Sequence, residues 1–330
     1  RQQQYPGSSE RIVLVFGTKV LFPMDSSQLW TLTDGHAGNR RQADALAAAL
    51  AIGPAREWVL ESQAPWRWFA PRRLPGAEAA FGDAFAQALQ HPPALAIGCG
   101  RQAALATRLL RARGSRVIQI LDPRLDPGHW NLLVAPEHDG LAGANVIPLL
   151  GSLNPVDELW LAHARAAFAT FADLPQPRTA LLLGGPSSHA RFDLHTFQQL
   201  ADLLDRAMTQ NGGSVLATTS RRTPADVVAA LRTRYGQGTG VVWCGEAEGI
   251  NPYPGLLAWA DRIVVSADSV NMVSEACATH APVFVFDPTS VSGRPRRFLD
   301  SLLALGRIRA MEATLAPFEV QPLRETARVA

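Results

Sequence analysis

DRIVVSADSVNMVSEACATHAPVFVFDP, residues 261–288, decides the fold. It reads as a buried strand, a polar turn, a helix and a second buried strand. Arg262–Ser266 is short, β-branched and apolar, as a strand covered on both faces must be. Asp268 and Ser269 are suited to cap a helix N-terminus, with Glu275 in the early turns that follow. Met272, Val273 and Ala276 fall at helical spacing and are expected to pack on the sheet. Pro282 stops the chain ahead of Val283–Phe286, the next strand. The polar turn therefore sits at the carboxyl end of a parallel strand, where open α/β sheets bind ligands. An ordinary βαβ unit with a well-capped helix fits the same pattern.

Outward from this unit, strand and helix alternate along the chain. Leu29–Thr33, Trp58–Leu60, Ala94–Ile97, Val117–Leu121, Leu132–Ala135 and Val146–Leu149 read as strands. Arg40–Leu50, Ala77–Leu89 and Arg101–Arg113 read as helices between them. After a long helix over Asn154–Phe171 and a proline-rich run at Asp173–Arg178, the alternation restarts with Thr179–Leu183. Leu194–Gln210, Ser214–Thr219, Val241–Cys244 and the helix Arg296–Leu305 complete it. Repeated βα units imply mainly parallel sheets. The fold class is thus α/β, with two Rossmann-like doubly wound domains facing a cleft, as in B-type glycosyltransferases and sugar-nucleotide 2-epimerases. Residues 25–172 are expected to form the first domain and 173–310 the second. Residues 1–24 read as an upstream segment outside the fold, and the tail 311–330 is expected to pack back on the N-terminal domain.

Composition narrows the functional classes. A chain of 330 residues, 47% hydrophobic and 18% charged, is globular rather than disordered or fibrous. A net charge of +2 argues against a nucleic-acid partner, which calls for a concentrated basic face. Lys19 is the only lysine, so an anion site here must be built from guanidinium forks. Cys99, Cys244 and Cys277 lack metal-ligand or paired spacing and read as buried free thiols in a reducing cytoplasm. No run reaches membrane-spanning length, and no metal motif appears, so neither a metal nor another cofactor is expected.

Three strand-end turns of the second half collect polar residues. Gly184 and Gly185 leave backbone amides open to a diphosphate. Ser220, Arg221, Arg222 and Thr223 precede Pro224 at a helix start and form a phosphate clamp. Asp268, Ser269, Asn271 and Glu275 follow the strand near 265, with Glu275 expected to face a solvated cleft and accept two hydrogen bonds from a ribose diol. In the first half, His36 is a natural general base that Asp34 can orient, although Asp34 as a mere helix cap fits equally. Asn39, Arg101, Arg124, His138 and Asp139 stand at further strand ends and are assigned to an acceptor, although a solvated loop fits His138 and Asp139 as well. PWRWFAPRRLP, residues 65–75, interleaves Trp66 and Trp68 with Arg67, Arg72 and Arg73. Such a run suits peripheral contact at the inner face of a membrane, or core aromatics under snorkelling arginines.

TDGHAGNRRQ (Thr33–Gln42), IGCGRQ (Ile97–Gln102), DPR (Asp122–Arg124), APEHD (Ala135–Asp139), TSRRTP (Thr219–Pro224), NPY (Asn251–Tyr253) and SADSVNMVSEA (Ser266–Ala276) together resemble the mitochondrial-fission (elongated-mitochondria) family, which has many bacterial members. The resemblance covers about residues 28–310. It implies the two-domain fold and, through the family's label as a predicted nucleoside-diphosphate-sugar epimerase, a nucleotide-sugar ligand. The opening segment is also distantly similar to the donor site of the peptidoglycan N-acetylglucosaminyltransferase. Ser266, Ser274 and Glu275 match that site, which gives Glu275 the ribose-binding role, whereas Ala267, Asp268 and Ser269 replace its arginine and glycine. An aspartate there repels phosphate, so the diphosphate is expected against Arg221, Arg222 and the amides after Gly184. The expected activity is glycosyl transfer from a nucleotide-diphosphate sugar. Sugar-nucleotide 2-epimerisation and a non-catalytic scaffold are the alternatives.

Overall fold

A computed structural model describes residues 29–330 and, before them, the backbone of two short antiparallel strands, β1 (Val13–Val15) and β2 (Thr18–Val20). The remainder of the expected upstream segment lies outside the described residues. Two six-stranded sheets follow. The first contains β3 (Leu29–Thr33), β4 (Ala55–Val59), β5 (Leu95–Cys99), β6 (Arg116–Ile120), β7 (Leu132–Pro136) and β8 (Val146–Leu149). Its order is β4-β3-β5-β6-β7-β8, and the registered pairs from β4 to β7 are parallel. The second contains β9 (Arg178–Leu183), β10 (Ser214–Thr219), β11 (Gly240–Trp243), β12 (Arg262–Ser266), β13 (Val283–Phe286) and β14 (Ile308–Ala310). Its order is β11-β10-β9-β12-β13-β14, parallel throughout.

In each sheet the chain lays strands to one side of its first strand and then crosses to the other. The order therefore reverses between β3 and β5, and again between β9 and β12. Helices α1 (Ala37–Leu50), α2 (Trp66–Phe69), α3 (Gly82–Ala88) and α4 (Arg101–Arg111) accompany the first sheet. Helices α5 (Glu158–Ala167), α6 (Leu194–Asn211), α7 (Ala225–Tyr235), α8 (Tyr253–Trp259), α9 (Val270–Cys277), α10 (Gly293–Ala304) and α11 (Glu325–Val329) follow. Strands β3, β9, β12 and β13 are buried along their full length, which is why they read as continuous apolar runs. Close helix-on-strand packing explains Gly98. A Cβ there would lie 2.6 Å from Thr107 Cγ2 and 2.7 Å from Gln119 Oε1.

Several expected elements are redrawn. The single helix over 77–89 is a 3₁₀ turn, Ala77–Ala79, and then α3, divided where Gly82 takes φ +81°. The helix expected from Asn154 begins at Glu158, capped by Asp157, whose carboxylate accepts from Trp160 N at 2.7 Å. The NPY motif leads into α8, and Pro254 is tolerated in its first turn. Met272 is only partly buried, whereas Val273 and Ala276 reach the core as expected.

The compact units part upstream of the proline-rich run. One comprises residues to Ala135 with Ala142–Ile147, and the other Pro136–Leu141 with Pro148–Val329. Residues 148–172 go with the second because α5 packs on α8, where Arg165 Nε donates to Ala258 O at 2.9 Å. The tail also docks there. Leu323 N donates to Cys277 O at 2.8 Å, Glu325 Oε2 accepts from Leu150 N at 3.0 Å, and Thr326 Oγ1 accepts from Asn154 N at 2.9 Å. Its receiving surface at 150–154 is thus part of the second unit, not of the N-terminal domain to which the sequence assigned it. Cys99 and Cys277 are buried free thiols, and burial pushes Cys277 up to about 12.

Arg307 fastens the end of α9. Its buried guanidinium donates to Cys277 O at 3.0 Å and Thr279 O at 2.9 Å, with Ala281 O at 3.4 Å. Arg307→Ala leaves these carbonyls without their charged donor and should cost about 2–3 kcal/mol. The measurement is the urea midpoint at unchanged m-value. An unmoved midpoint would show that the guanidinium is dispensable.

Candidate functional site

The second sheet's reversal point gathers three turns. Gly184 and Gly185 leave β9, Ser220–Thr223 leave β10, and Asp268 leaves β12. Ser266 Oγ accepts from Gly184 N at 2.8 Å and donates to Asp268 Oδ1 at 2.7 Å. Asp268 Oδ2 accepts from Gly185 N at 2.9 Å and from Arg222 Nη2 at 3.0 Å. Arg222 Nη1 reaches Gly185 O at 3.2 Å and Pro186 O at 3.1 Å. Thr223 Oγ1 donates to Gly184 O and accepts from Ser220 N at 2.9 Å. The three turns expected to share a ligand therefore meet, and they meet by hydrogen-bonding one another.

This meeting changes what the glycines do. A Cβ on Gly184 would lie 2.1 Å from Asp268 Oδ2, and one on Gly185 would lie 2.2 Å from Arg222 O. The missing side chains make room for a carboxylate and a neighbouring loop. The Gly185 amide, expected to meet a diphosphate, already donates to Asp268. Asp268 is 2% exposed at its side chain and Arg222 remains half-exposed. Arg221 is exposed, Asn271 is half-buried, and Ser269 caps α9 by accepting from Met272 N at 3.4 Å.

Glu275 corrects the sequence reading. It is 1% exposed rather than solvated, and Tyr253 Oη donates to its carboxylate from α8. It lies in the second turn of α9, five residues on from Val270, about 7.5 Å of axial rise. Nothing in the sequence paired it with Tyr253, although NPY was singled out as a motif.

At the first sheet's reversal point, Asp34 follows β3 and Gly100 follows β5. Asp34 Oδ1 accepts from Asn39 Nδ2 at 2.9 Å and lies 3.1 Å from His36 Nδ1. The imidazole is 80% exposed. Gly100 has φ +92°, and a Cβ there would sit 2.7 Å from Asn39 Nδ2. Asp34 accepts from the His36 backbone N at 3.2 Å as well, so it both shapes the turn and orients the ring.

The residues assigned to an acceptor divide between the two compact units. Asn39 serves Asp34, while Arg101 Nη2 donates to Arg67 O at 3.0 Å. Arg124, at φ +59°, pairs with Asp122 at 3.1 Å beyond the end of β6. His138 and Asp139 belong to the second unit, where Arg294 lies 2.8 Å from Asp139 and Arg297 Nε donates to His138 O at 3.2 Å. Burial, the leading cause, holds the His138 imidazole below its usual range. Among the described residues no group of three or more His, Cys, Asp or Glu could hold a metal ion.

In the 65–75 run, Trp66 is half-buried and its Nε1 donates to Pro75 O at 3.2 Å. Trp68 is 63% exposed, Phe69 is exposed beside it, and Arg72 is exposed, whereas Arg73 pairs with Glu78 at 2.6 Å. The core reading thus fails for Trp68 and Phe69. Among the described residues no helix is long and apolar enough to cross a membrane.

Residues 37–330 match the family described as Mitochondrial fission ELM1. The chain belongs to this family. It is 31% identical over 269 residues to the mitochondrial fission protein ELM1 of Arabidopsis thaliana, covering 72% of this chain and 62% of that protein. The chain thus spans under two thirds of the plant protein's length. It is 24% identical over 348 aligned residues to an uncharacterised protein of Rickettsia prowazekii, covering 92% of this chain and 96% of that protein.

Among solved structures, it resembles the UDP-GlcNAc 2-epimerase of Neisseria meningitidis bound to UDP-GlcNAc, at TM-score 0.56 and 11% identity over 91% of this chain and 97% of that one. It also resembles MurG of Acinetobacter baumannii, at TM-score 0.50 and 12% identity over 92% and 89%. These likenesses place the family's two Rossmann-like domains in the B-type glycosyltransferase and epimerase fold, as expected from the sequence.

Tyr253 is the testable part of this site. Tyr253→Phe removes a donor from the buried Glu275 carboxylate and should lower stability by about 1–3 kcal/mol. Thermal unfolding monitored by circular dichroism reads this. A melting curve identical to the parent's would mean that Glu275 does not depend on the phenol.

Proposed function

We propose that this family member is a glycosyltransferase-like enzyme that binds a nucleotide-diphosphate sugar at the carboxyl edge of its second sheet. One observation carries the reading: the Gly184–Gly185, Ser220–Thr223 and Asp268 turns join at the strand-order reversal, where doubly wound sheets take their ligands. The nucleotide-sugar complex of the epimerase neighbour supports the ligand class. With the Gly185 amide engaged, the diphosphate lies against the exposed faces of Arg221 and Arg222, whose guanidinium groups stabilise the leaving phosphates. His36, oriented by Asp34, takes the proton from an acceptor hydroxyl. Epimerisation at C2 of the sugar is the alternative on the same fold and requires no acceptor.

A second reading, a non-catalytic scaffold, is favoured by one specific fact. The backbone polar groups of Gly184 and Gly185 are bonded within the protein. Calorimetry with UDP-, GDP-, ADP- and CMP-sugars decides between them. Nucleotide-sugar binding should be saturable, and Arg221→Ala should weaken diphosphate ligands on the order of tenfold to a hundredfold while leaving the free nucleoside unchanged. Failure of every nucleotide to bind would leave the scaffold. Turnover of a sugar nucleotide supplied alone would select the epimerase.

Peripheral contact with the cytoplasmic face of an anionic membrane completes the proposal. Trp68 and Phe69 supply the apolar contact, with Arg72 and half-buried Trp66 beside them. The protein should sediment with phosphatidylglycerol vesicles at low salt and release at high salt. Trp68→Ala with Phe69→Ala should weaken this without lowering the melting temperature. Sedimentation that is unchanged in the double variant would exclude this patch.

A further inference from the structure

We infer that Asp268 is a resident anion, filling with its own carboxylate the seat that the Gly184–Gly185 turn and Arg222 would otherwise present to a phosphate group. The inference goes beyond nucleotide-sugar binding and stands or falls separately from it. Three donors converge on this one side chain: Gly185 N at 2.9 Å, Arg222 Nη2 at 3.0 Å and Ser266 Oγ at 2.7 Å. A backbone amide after a glycine pair, a guanidinium fork and a hydroxyl are the groups with which proteins commonly hold phosphate oxygens. Here they close on a residue of the chain itself, and the carboxylate is 2% exposed.

The surroundings are shaped to the carboxylate. Both Asp268 oxygens would lie within 2.3 Å of a Cβ on Gly184, so no other residue fits opposite it. The Ser220–Thr223 turn is held in register by Thr223 Oγ1 on Gly184 O and by Arg222 on Gly185 O and Pro186 O. Arg222 is thereby committed inward on one edge of its guanidinium, while its side chain stays half-exposed. An arriving oxyanion cannot share the Gly185 amide without displacing Asp268, and like charge opposes its approach. Asp268 is therefore a specificity-determining residue. It bars a phosphate from the glycine turn and confines anionic ligands to the outer faces of Arg221 and Arg222.

The test replaces the resident anion with one from solution. Asp268→Ala leaves three donors around a vacated seat, and inorganic phosphate or pyrophosphate should fill it. Thermal shift and calorimetry with both probes, against chloride at matched ionic strength, compare the parent with Asp268→Ala and Asp268→Asn. The alanine variant should melt below the parent, regain stability with phosphate, and bind pyrophosphate at least about tenfold more tightly than the parent does. Asp268→Asn keeps the volume but not the charge, and should show a smaller gain in the same direction. Arg222→Ala added to Asp268→Ala should abolish the gain, which assigns it to this seat.

Equal binding of both probes by the parent and the folded variants would overturn the inference. So would a parent that binds pyrophosphate more tightly than either variant, because Asp268 would then be assisting the anion. If Asp268→Ala does not fold in chloride, refolding should succeed in phosphate. Failure in both, with no gain in Asp268→Asn, likewise overturns it. Absence of nucleotide-sugar binding by the parent leaves these outcomes unchanged, so the two proposals fail separately.

Discussion

A carboxylate taken out of water must be surrounded by donors, and at Asp268 that requirement organises the edge of the second sheet. β12 delivers the residue to the sheet's reversal point, and Ser266, Gly185 and Arg222 supply the donors. The glycines at 184 and 185 follow from this, because any Cβ there would collide with Asp268 or with the Arg222 backbone. Thr223 then locks the β10 turn onto Gly184. Four local features that look separate along the chain are one hydrogen-bonded unit in space.

The fold was legible because parallel strands buried on both faces leave an unambiguous trace. β9, β12 and β13 are apolar runs between polar turns, and the reading of residues 261–288 needed no correction in element order. What failed was where helices begin and end. Ala77–Leu89 has continuous helical composition, yet the positive φ of Gly82 divides it. Asn154 looks like a helix start, but its side chain is used in a turn, accepting from Val156 N at 3.1 Å, and Asp157 becomes the cap. β14, three residues at the sheet's edge, is too short to leave a periodic signal.

The site was legible in position more than in partnership. Spacing along one chain says which residues reach a strand's carboxyl end, and Gly184, Arg222 and Asp268 do meet there. Spacing does not say which donor each acceptor will use. Glu275 falls on the face of α9 turned toward α8, so Tyr253 meets it rather than solvent. Arg101 and Arg124 stand at strand ends of the first compact unit, whereas His138 and Asp139 belong to the second. The aromatic run at 65–75 divides residue by residue, with Trp66 held by Pro75 O and Trp68 left exposed.

The two reversal points use the same parts in opposite ways. In each, an aspartate and a glycine stand on the two strands where the order reverses: Asp34 with Gly100, and Gly184 with Asp268. The first-unit carboxylate is partly exposed, and its partners are a neighbouring asparagine and an exposed imidazole within the same turn. Short-range partners leave that turn open to solvent. The second-unit carboxylate draws its donors from two other strand ends, and this closes the turn around it. A side chain satisfied from within its own loop can still meet a ligand, whereas one held by two other loops as well as its own must first be released. The difference in reach of these hydrogen bonds, rather than the residue types, makes the Asp34–His36 turn the accessible one and the Asp268 turn the sealed one.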